Sequence, residues 1–248
     1  MNQTIYDFLI LSLRSKDYIF TFNWDDLLIQ AYVRMMKITT DLPQINFLHG
    51  NVGIKYCKKC HTVQLKYNTK CINCGKSFDK DSVPPLLFPV SNKDYTSNEY
   101  INKAWELFET QLRNASILTI FGYGAPSTDA AAVEIMTRAF KSKAEIRWYD
   151  RVEIIDIKNK SDIYDTWSKF INIVHNHGYI YDNFFDSIIA KYPRRSIEGY
   201  VKQYLESWWG KATVTLENNI NIKSLRDLEN VFRPLFENEN KGNADVVL

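Results

Sequence analysis

Cysteine is absent from residues 1–56 and from 75–248, and all four thiols fall between Cys57 and Cys74. A secreted chain stapled by disulfides spreads its cysteines through the fold, so this clustering argues against a disulfide framework and for a local metal site. An excess of one charge is also lacking. With 31 basic and 29 acidic residues the formal charge is +2, too weak a field to draw the whole molecule onto nucleic acid or an anionic membrane. Long apolar runs are missing as well. The opening stretch, MNQTIYDFLILSLRSKD, has no basic leader, and between Asp7 and Arg14 it is too short to span a bilayer. Repeats are absent, and low complexity is confined to a polar tail. These absences leave a cytoplasmic globular protein as the expectation, with 45% apolar residues among 248, enough for one sizeable core and a small appended module.

Hydrophobic periodicity divides the chain. Residues 4–15 fit a short amphipathic helix, and residues 18–22 a strand apolar on both faces, as in a covered parallel sheet. A helix follows from about Asp25, where Asp25 or Asp26 can cap it, and Leu27, Leu28, Ala31, Tyr32 and Met35 recur at helical spacing. Residues 45–50 read as a second short strand. Lysine, cysteine and asparagine then replace the apolar pattern, until Pro84-Pro85 closes the segment. Beyond it the pattern predicts a helix over 101–113, a strand over 117–121, a glycine turn, a helix over 130–140 and a strand over 146–149, which together make a parallel βαβ unit. Helices are expected over 163–174, 181–192, 197–209 and 225–236, with Gly178, Pro193 and Gly210 as breaks. The expected fold class is α/β: a Rossmann-like parallel sheet from 1–54 and 85–152, a ribbon at 55–84 and a helical C-terminal region at 153–248.

Cys57, Cys60, Cys71 and Cys74 form C-x2-C-x10-C-x2-C. Each C-x-x-C turn presents two thiolates on one side, and two such turns close a tetrahedron around zinc with no open position, so the metal is structural. His61, directly after Cys60, is read as a surface histidine. The ribbon's lysines, Lys55, Lys58, Lys59, Lys66, Lys70 and Lys76, could meet phosphates but are more simply a solvated face. After the 117–121 strand, FGYGAPSTDAAAVEI carries Gly122 and Gly124 into a helix. That turn could hold phosphate or ribose oxygens, or could be a tight turn capped by Ser127, Thr128 or Asp129. His175 and His177 suit a helix end, and Trp208 and Trp209 a packing surface.

The order of these features along the chain resembles the sirtuin family. Thr21-Phe22-Asn23-Trp24-Asp25 stands where the family has T-Q-N-x-D, Leu48-His49-Gly50 where it has L-H-G, then come the four cysteines, Gly122-Tyr123-Gly124 for its G-T-S, and Tyr149-Asp150 for a strand ending in Asn. The wording of FNWD and GYGAPSTD is closer to divergent sirtuin-like domains of bacterial antiphage defence than to protein deacylases. The resemblance covers residues 18 to about 152. It implies NAD as substrate, His49 as the base on the nicotinamide ribose, Asn23 orienting the ribose or an attacking water, and Asp25 holding the carboxamide. Thr21, Phe22, Gly122, Tyr123, Gly124 and Asp150 would contact the cofactor. NAD hydrolysis leads, with NAD-dependent protein deacylation and a non-catalytic zinc-ribbon interaction or nucleic-acid-binding module as alternatives. The family's first strand and Gly-Ala-Gly phosphate loop have no counterpart before Tyr18, and a βαβ unit does not fit into 17 residues. A partner chain or a second copy is therefore expected to complete the sheet.

Overall fold

The computed structural model describes residues 3–84, 86–87, 98–126, 129–146, 148–168, 178–207, 212–218 and 222–240. Pro85, Ser127, Thr128, His175, His177, Trp208, Trp209 and the tail from 241 onward lie outside the described residues. The fold is α/β, with parallel strands in two groups. Strand β1 (Tyr18–Thr21) pairs with β2 (Gln44–Phe47), and β5 (Ile117–Phe121) with β6 (Arg151–Ile155) and β7 (Gly178–Tyr181). Between the groups lies an antiparallel hairpin of β3 (Ile54–Cys57) and β4 (Thr62–Leu65), which carries the first cysteine pair.

Helices cover the strands through apolar stripes. In α2 (Leu27–Met35) the buried residues Leu28, Ala31 and Met35 recur every three or four positions. Helix α3 (Glu99–Asn114) starts at Asn98, whose side chain accepts from the Tyr100 and Ile101 amides, and buries Ile101, Ala104, Trp105, Phe108 and Leu112. Helix α1 (Ile5–Leu11) packs on α2, and Asp7 at its start is fully buried against the Arg34 guanidinium. Among the described residues no helix is long and apolar enough to cross a membrane.

Two expectations from periodicity are corrected. Helix α4 runs Ala130–Ile146 rather than stopping near 140, because AAAVEIMTRAFKSKAEI is rich in strong helix formers and contains neither glycine nor proline. No strand is found at 146–149 among the described residues, and the chain enters β6 at Arg151, with all five residues buried. Helix α5 (Lys160–Trp167) follows β6, the later part of the helix expected over 163–174 lies outside the described residues, and β7 adds a third parallel strand through aromatic and β-branched residues. After it, Asn183 and Ser187 each accept from a backbone amide three residues on, and these local caps split the helix expected over 181–192 into a 3-10 turn and the four-residue α6 (Ile188–Lys191). Helix α7 (Ser196–Tyr200) continues as one π-helical turn to Leu205.

One buried cation ties distant parts together. Arg194 donates to the carbonyls of Leu11, Leu13 and Asp41, to the Asp41 carboxylate at 2.8 Å, and in two-pronged fashion to Glu239 on α8 (Leu225–Asn240) at 2.8 Å each. This geometry uses the fixed fork of guanidinium.

Candidate functional site

Parallel strands bring polar residues together just beyond their carboxyl ends. At the end of β1, the Thr21 hydroxyl accepts from the Asn23 amide at 3.1 Å, turning the chain so that Asn23 and Asp25 stand exposed. Asp25 Oδ1 accepts from Leu27 N at 3.0 Å and so starts α2. At the end of β5, Gly122 adopts a left-handed φ of 64°, which favours glycine, while its amide bonds the Ile155 carbonyl at 2.9 Å. A side-chain carbon at Gly124 would meet Lys158 Nζ at 2.9 Å, so the far end of that flexible side chain lies against the glycine. Thr21, Phe22, Asn23, Asp25, Gly122 and Tyr123 all line one cavity of about 700 Å³.

Phe22 and Tyr123 close the gap between the two strands, with rings stacked at 3.9 Å and 4°. Phe22 also meets the His49 imidazole edge-on at 5.0 Å and 77°. His49 is only 6% exposed and is not among the residues lining the cavity; it stands behind Phe22. Its backbone is held by Leu87 N donating to the His49 carbonyl and by Trp105 Nε1 donating to the Leu48 carbonyl at 2.9 Å. Buried Asp129 joins the two ends, since Tyr123 Oη donates to its Oδ2 at 3.1 Å and its Oδ1 lies 3.9 Å from His49 Nε2. Sequence reasoning treated Asp129 only as a cap. Its spacing six residues after Tyr123 gave no sign of the contact.

Asp150 does not join this cluster. It precedes β6, at the amino end of the strand, where its amide bonds the Ser116 carbonyl. The acidic residue beyond the carboxyl end is Asp156, which follows Ile155 and accepts from Lys158 N at 3.0 Å. The run Val152-Glu153-Ile154-Ile155 was the missed signal, masked by Arg151 and Glu153, which are buried as an ion pair at 2.7 Å. Asn51 was also missed. Fully buried, it takes the Gly53 amide at 2.7 Å and donates to the Asp25 carbonyl, linking the start of α2 to the ribbon.

The four cysteine sulfurs lie within 4.8 Å of one another, with Cys57 Sγ and Cys74 Sγ 3.7 Å apart. Tetrahedral zinc with Zn–S bonds near 2.3 Å sets sulfurs about 3.8 Å apart, so the cluster suits a structural zinc. The two turns are built alike. The Cys57 carbonyl accepts from His61 N and the Cys71 carbonyl from Gly75 N, and His61 and Gly75 share left-handed φ values of 54° and 69°. Burial of the Cys71 thiol works against ionisation, but amides of Cys74 and Asn73 outweigh it and pull the thiol down to about 6. His61 Nδ1 lies 2.6 Å from Glu99 Oε1, so this exposed histidine fastens the ribbon to α3.

No family model and no curated protein matches the chain. Among solved structures, a mutant Sir2 homologue in complex with ADP-ribose is 11% identical with a TM-score of 0.36, over 83% of this chain and 69% of its own. A Sir2 homologue in complex with NAD is 11% identical with a TM-score of 0.34, over 82% of this chain and 64% of its own, so the chain spans less than two thirds of that protein. The α/β description stands on the parallel strands and the ribbon themselves.

Proposed function

We propose that this chain is a sirtuin-like NAD-binding protein that cleaves the nicotinamide–ribose bond with water as acceptor, in the setting of antiphage defence. The supporting observation is that Asn23 and Asp25, from one strand group, and Gly122 and Tyr123, from the other, line the carboxyl-end portion of a single cavity that runs along β1 and β5. In this reading Asn23 orients ribose or water without adding charge, and Asp25 holds the carboxamide. His49 takes a proton from a ribose hydroxyl, with Asp129 fixing the ring behind it. The departing nicotinamide keeps the electrons of the broken C–N bond, water places its oxygen on the anomeric carbon, the proton that water sheds restores the ribose hydroxyl, and His49 releases its own proton to solvent. Gly122, Gly124 and Lys158 stand where backbone and a cation can meet phosphate. Asp156, rather than Asp150, is the carboxylate at that end.

One observation favours a second reading, a non-catalytic interaction module: His49 is covered by Phe22 and does not line the cavity. Nicotinamide release from NAD separates the readings. The hydrolase predicts release without peptide, reduced at least about 100-fold by Asn23→Ala and by His49→Ala. Release that requires an acetylated peptide would indicate deacylation. Absence of release under both conditions would leave the interaction module.

A further inference from the structure

The proton transfer assigned to His49 needs contact with the ribose, yet the imidazole is buried and stands behind Phe22. The histidine itself is fixed. Leu48 N donates to the Thr21 carbonyl at 2.9 Å, Gly50 N to the Phe47 carbonyl at 3.2 Å and Leu87 N to the His49 carbonyl at 3.0 Å, and the turn leaves through Gly50 at a left-handed φ of 76°. Tyr123 is fixed too, since its hydroxyl donates to buried Asp129 at 3.1 Å and its ring leans on Trp167 at 6.1 Å. A phenyl ring has no hydrogen bond to hold it. Phe22 rests on Tyr123 at 3.9 Å and meets Trp105 and Phe108 edge-on at 5.9 and 6.4 Å. It is half-buried and lines the cavity. With about 700 Å³ beside it, against ~150 Å³ for a cavity that takes one benzene, the ring has room to turn. Of the three rings, Phe22 is therefore the one free to leave.

We propose that the cationic nicotinamide ring of the oxidised dinucleotide displaces Phe22 from Tyr123, takes its place on the tyrosine face and so uncovers His49. The inference rests on the NAD-cleaving reading and adds to it how the base becomes accessible. One flat ring replaces another, so the stack that is lost is regained, and the remaining cost is the edge contacts of Phe22 with His49, Trp105 and Phe108. Charge offsets that cost. The ring of NAD is a pyridinium, and a cation over a tyrosine face is attracted by the ring quadrupole, whereas a phenyl ring brings no charge. Asn23 and Asp25 line the same end of the cavity and set an amide and a carboxylate beside the arriving ring. Cleavage reverses the balance. The departing nicotinamide keeps the electrons of the C–N bond and is neutral, so the cation–π attraction disappears, and Phe22 returns to Tyr123 and expels the product. The same argument sets specificity, because the reduced dinucleotide carries a neutral ring and lacks the charge that moves Phe22. Before ligand arrives, the closed stack lowers apparent affinity in proportion to the fraction of molecules in which Phe22 already stands aside.

Carbon NMR of ring-labelled phenylalanine in the zinc-loaded full chain follows Phe22 directly, its signals assigned through Phe22→Leu. The 1-methylnicotinamide cation should move them saturably, at least about threefold more tightly than neutral nicotinamide, and neither should bind this way in Tyr123→Leu. Phe22 signals that stay in place up to the solubility limit of both probes overturn the proposal, and so does equal affinity for the two. In nicotinamide release from NAD, Phe22→Ala removes the competing ring and should lower KM at least about fivefold without lowering kcat. Tyr123→Leu removes the stacking face and should raise KM at least about tenfold. If Phe22→Ala does not fold, Phe22→Leu, which keeps apolar bulk without a flat face, gives the same reading. A folded Phe22 variant with a raised KM or a lowered kcat overturns the proposal, because a fixed wall of the site behaves in that way. If no chain releases nicotinamide, the cleaving reading fails by itself: Phe22 signals that follow 1-methylnicotinamide then still uphold the displacement, and signals that do not follow it overturn it.

Discussion

Strands β6 and β1 are both short and largely apolar, yet every residue of Arg151–Ile155 is buried and none of Tyr18–Thr21 is. The difference lies in their neighbours, since among the described residues β6 is paired on both edges and β1 on one. Burial in a parallel sheet therefore follows pairing more than composition. With two neighbours, β6 even accommodates charge: the Glu153 carboxylate receives Arg151 and the Ile188 amide, and Arg151 also donates to Tyr181 and Tyr204. With one neighbour, β1 leaves Ile19 and Phe20 only half-buried along an open edge of the kind that proteins ordinarily cover.

The largest expected break falls on the β1–β2 side, because the ribbon is attached there through Asn51 and through His61 and Glu99. Four-thiolate zinc sites contribute on the order of 10 kcal/mol to folding of their module. Chelation, or Cys71→Ser, should therefore unfold the ribbon and lower the melting temperature, while hydrogen exchange in β6 and β7 stays close to its starting rate. Metal analysis showing no zinc, with unchanged melting after chelation, would remove the metal from the ribbon. Next in size is Arg194→Ala, which takes from Glu239 its two-pronged partner and leaves Asp41 with only Arg14 and Ser15 at the tie between α8 and the start of β1. A loss of about 3–5 kcal/mol is expected in urea unfolding, typical of breaking a buried pair by removing one partner. Arg194→Lys should recover only part of it, since an ammonium cannot bond both Glu239 oxygens and Asp41 at once.

A third test sets the two strands side by side. Ile154→Ala removes a side chain that is 1% exposed and should cost about 2–5 kcal/mol in any background. Ile19→Ala, at a half-buried site on β1, should cost only about 1 kcal/mol, because a half-exposed side chain loses less on truncation. Equal losses at the two positions in urea unfolding would show that the difference in burial between the strands carries no difference in stability.

What could be read in the sequence follows from the range of each interaction. The ribbon was legible because its chemistry is local: two C-x-x-C turns fix their own ligand geometry within 18 residues. Strands at 18–22 and 117–121 and the glycine turn were legible for the same reason, through apolar runs ending in residues with distinctive backbone needs. The end of α4 was not, because Ile146, Trp148 and Tyr149 look strand-like in isolation while the preceding run of helix formers carries the helix as far as Ile146. Asp156 was hidden because Arg151 and Glu153 interrupt the apolar pattern of β6, and their partners, Tyr181, Tyr204 and the Ile188 amide, lie 30 or more residues away. The Asp129–His49 approach and the Arg194 hub depend on contacts between distant segments, which no local pattern records.

The smallest expected effect concerns the same tie under acid. Partial burial opposes ionisation of Asp41, but hydrogen bonds from Ser15 and Arg14 and the charge of Arg194 hold its carboxyl at about 2, below its ordinary 3.8. A depressed folded-state value means that the carboxylate contributes stability above about pH 4, and that this contribution is lost as pH falls from 4 toward 2. Glu153, raised by its burial, acts with the opposite sign as acid protonates it, so the slope of the whole protein mixes the two. The difference between the parent chain and Asp41→Asn separates them. Urea midpoints of the two should converge between pH 4 and pH 2 and stay apart above pH 5, and a constant gap across that range would mean that Asp41 holds Arg194 by hydrogen bonding alone, without its charge.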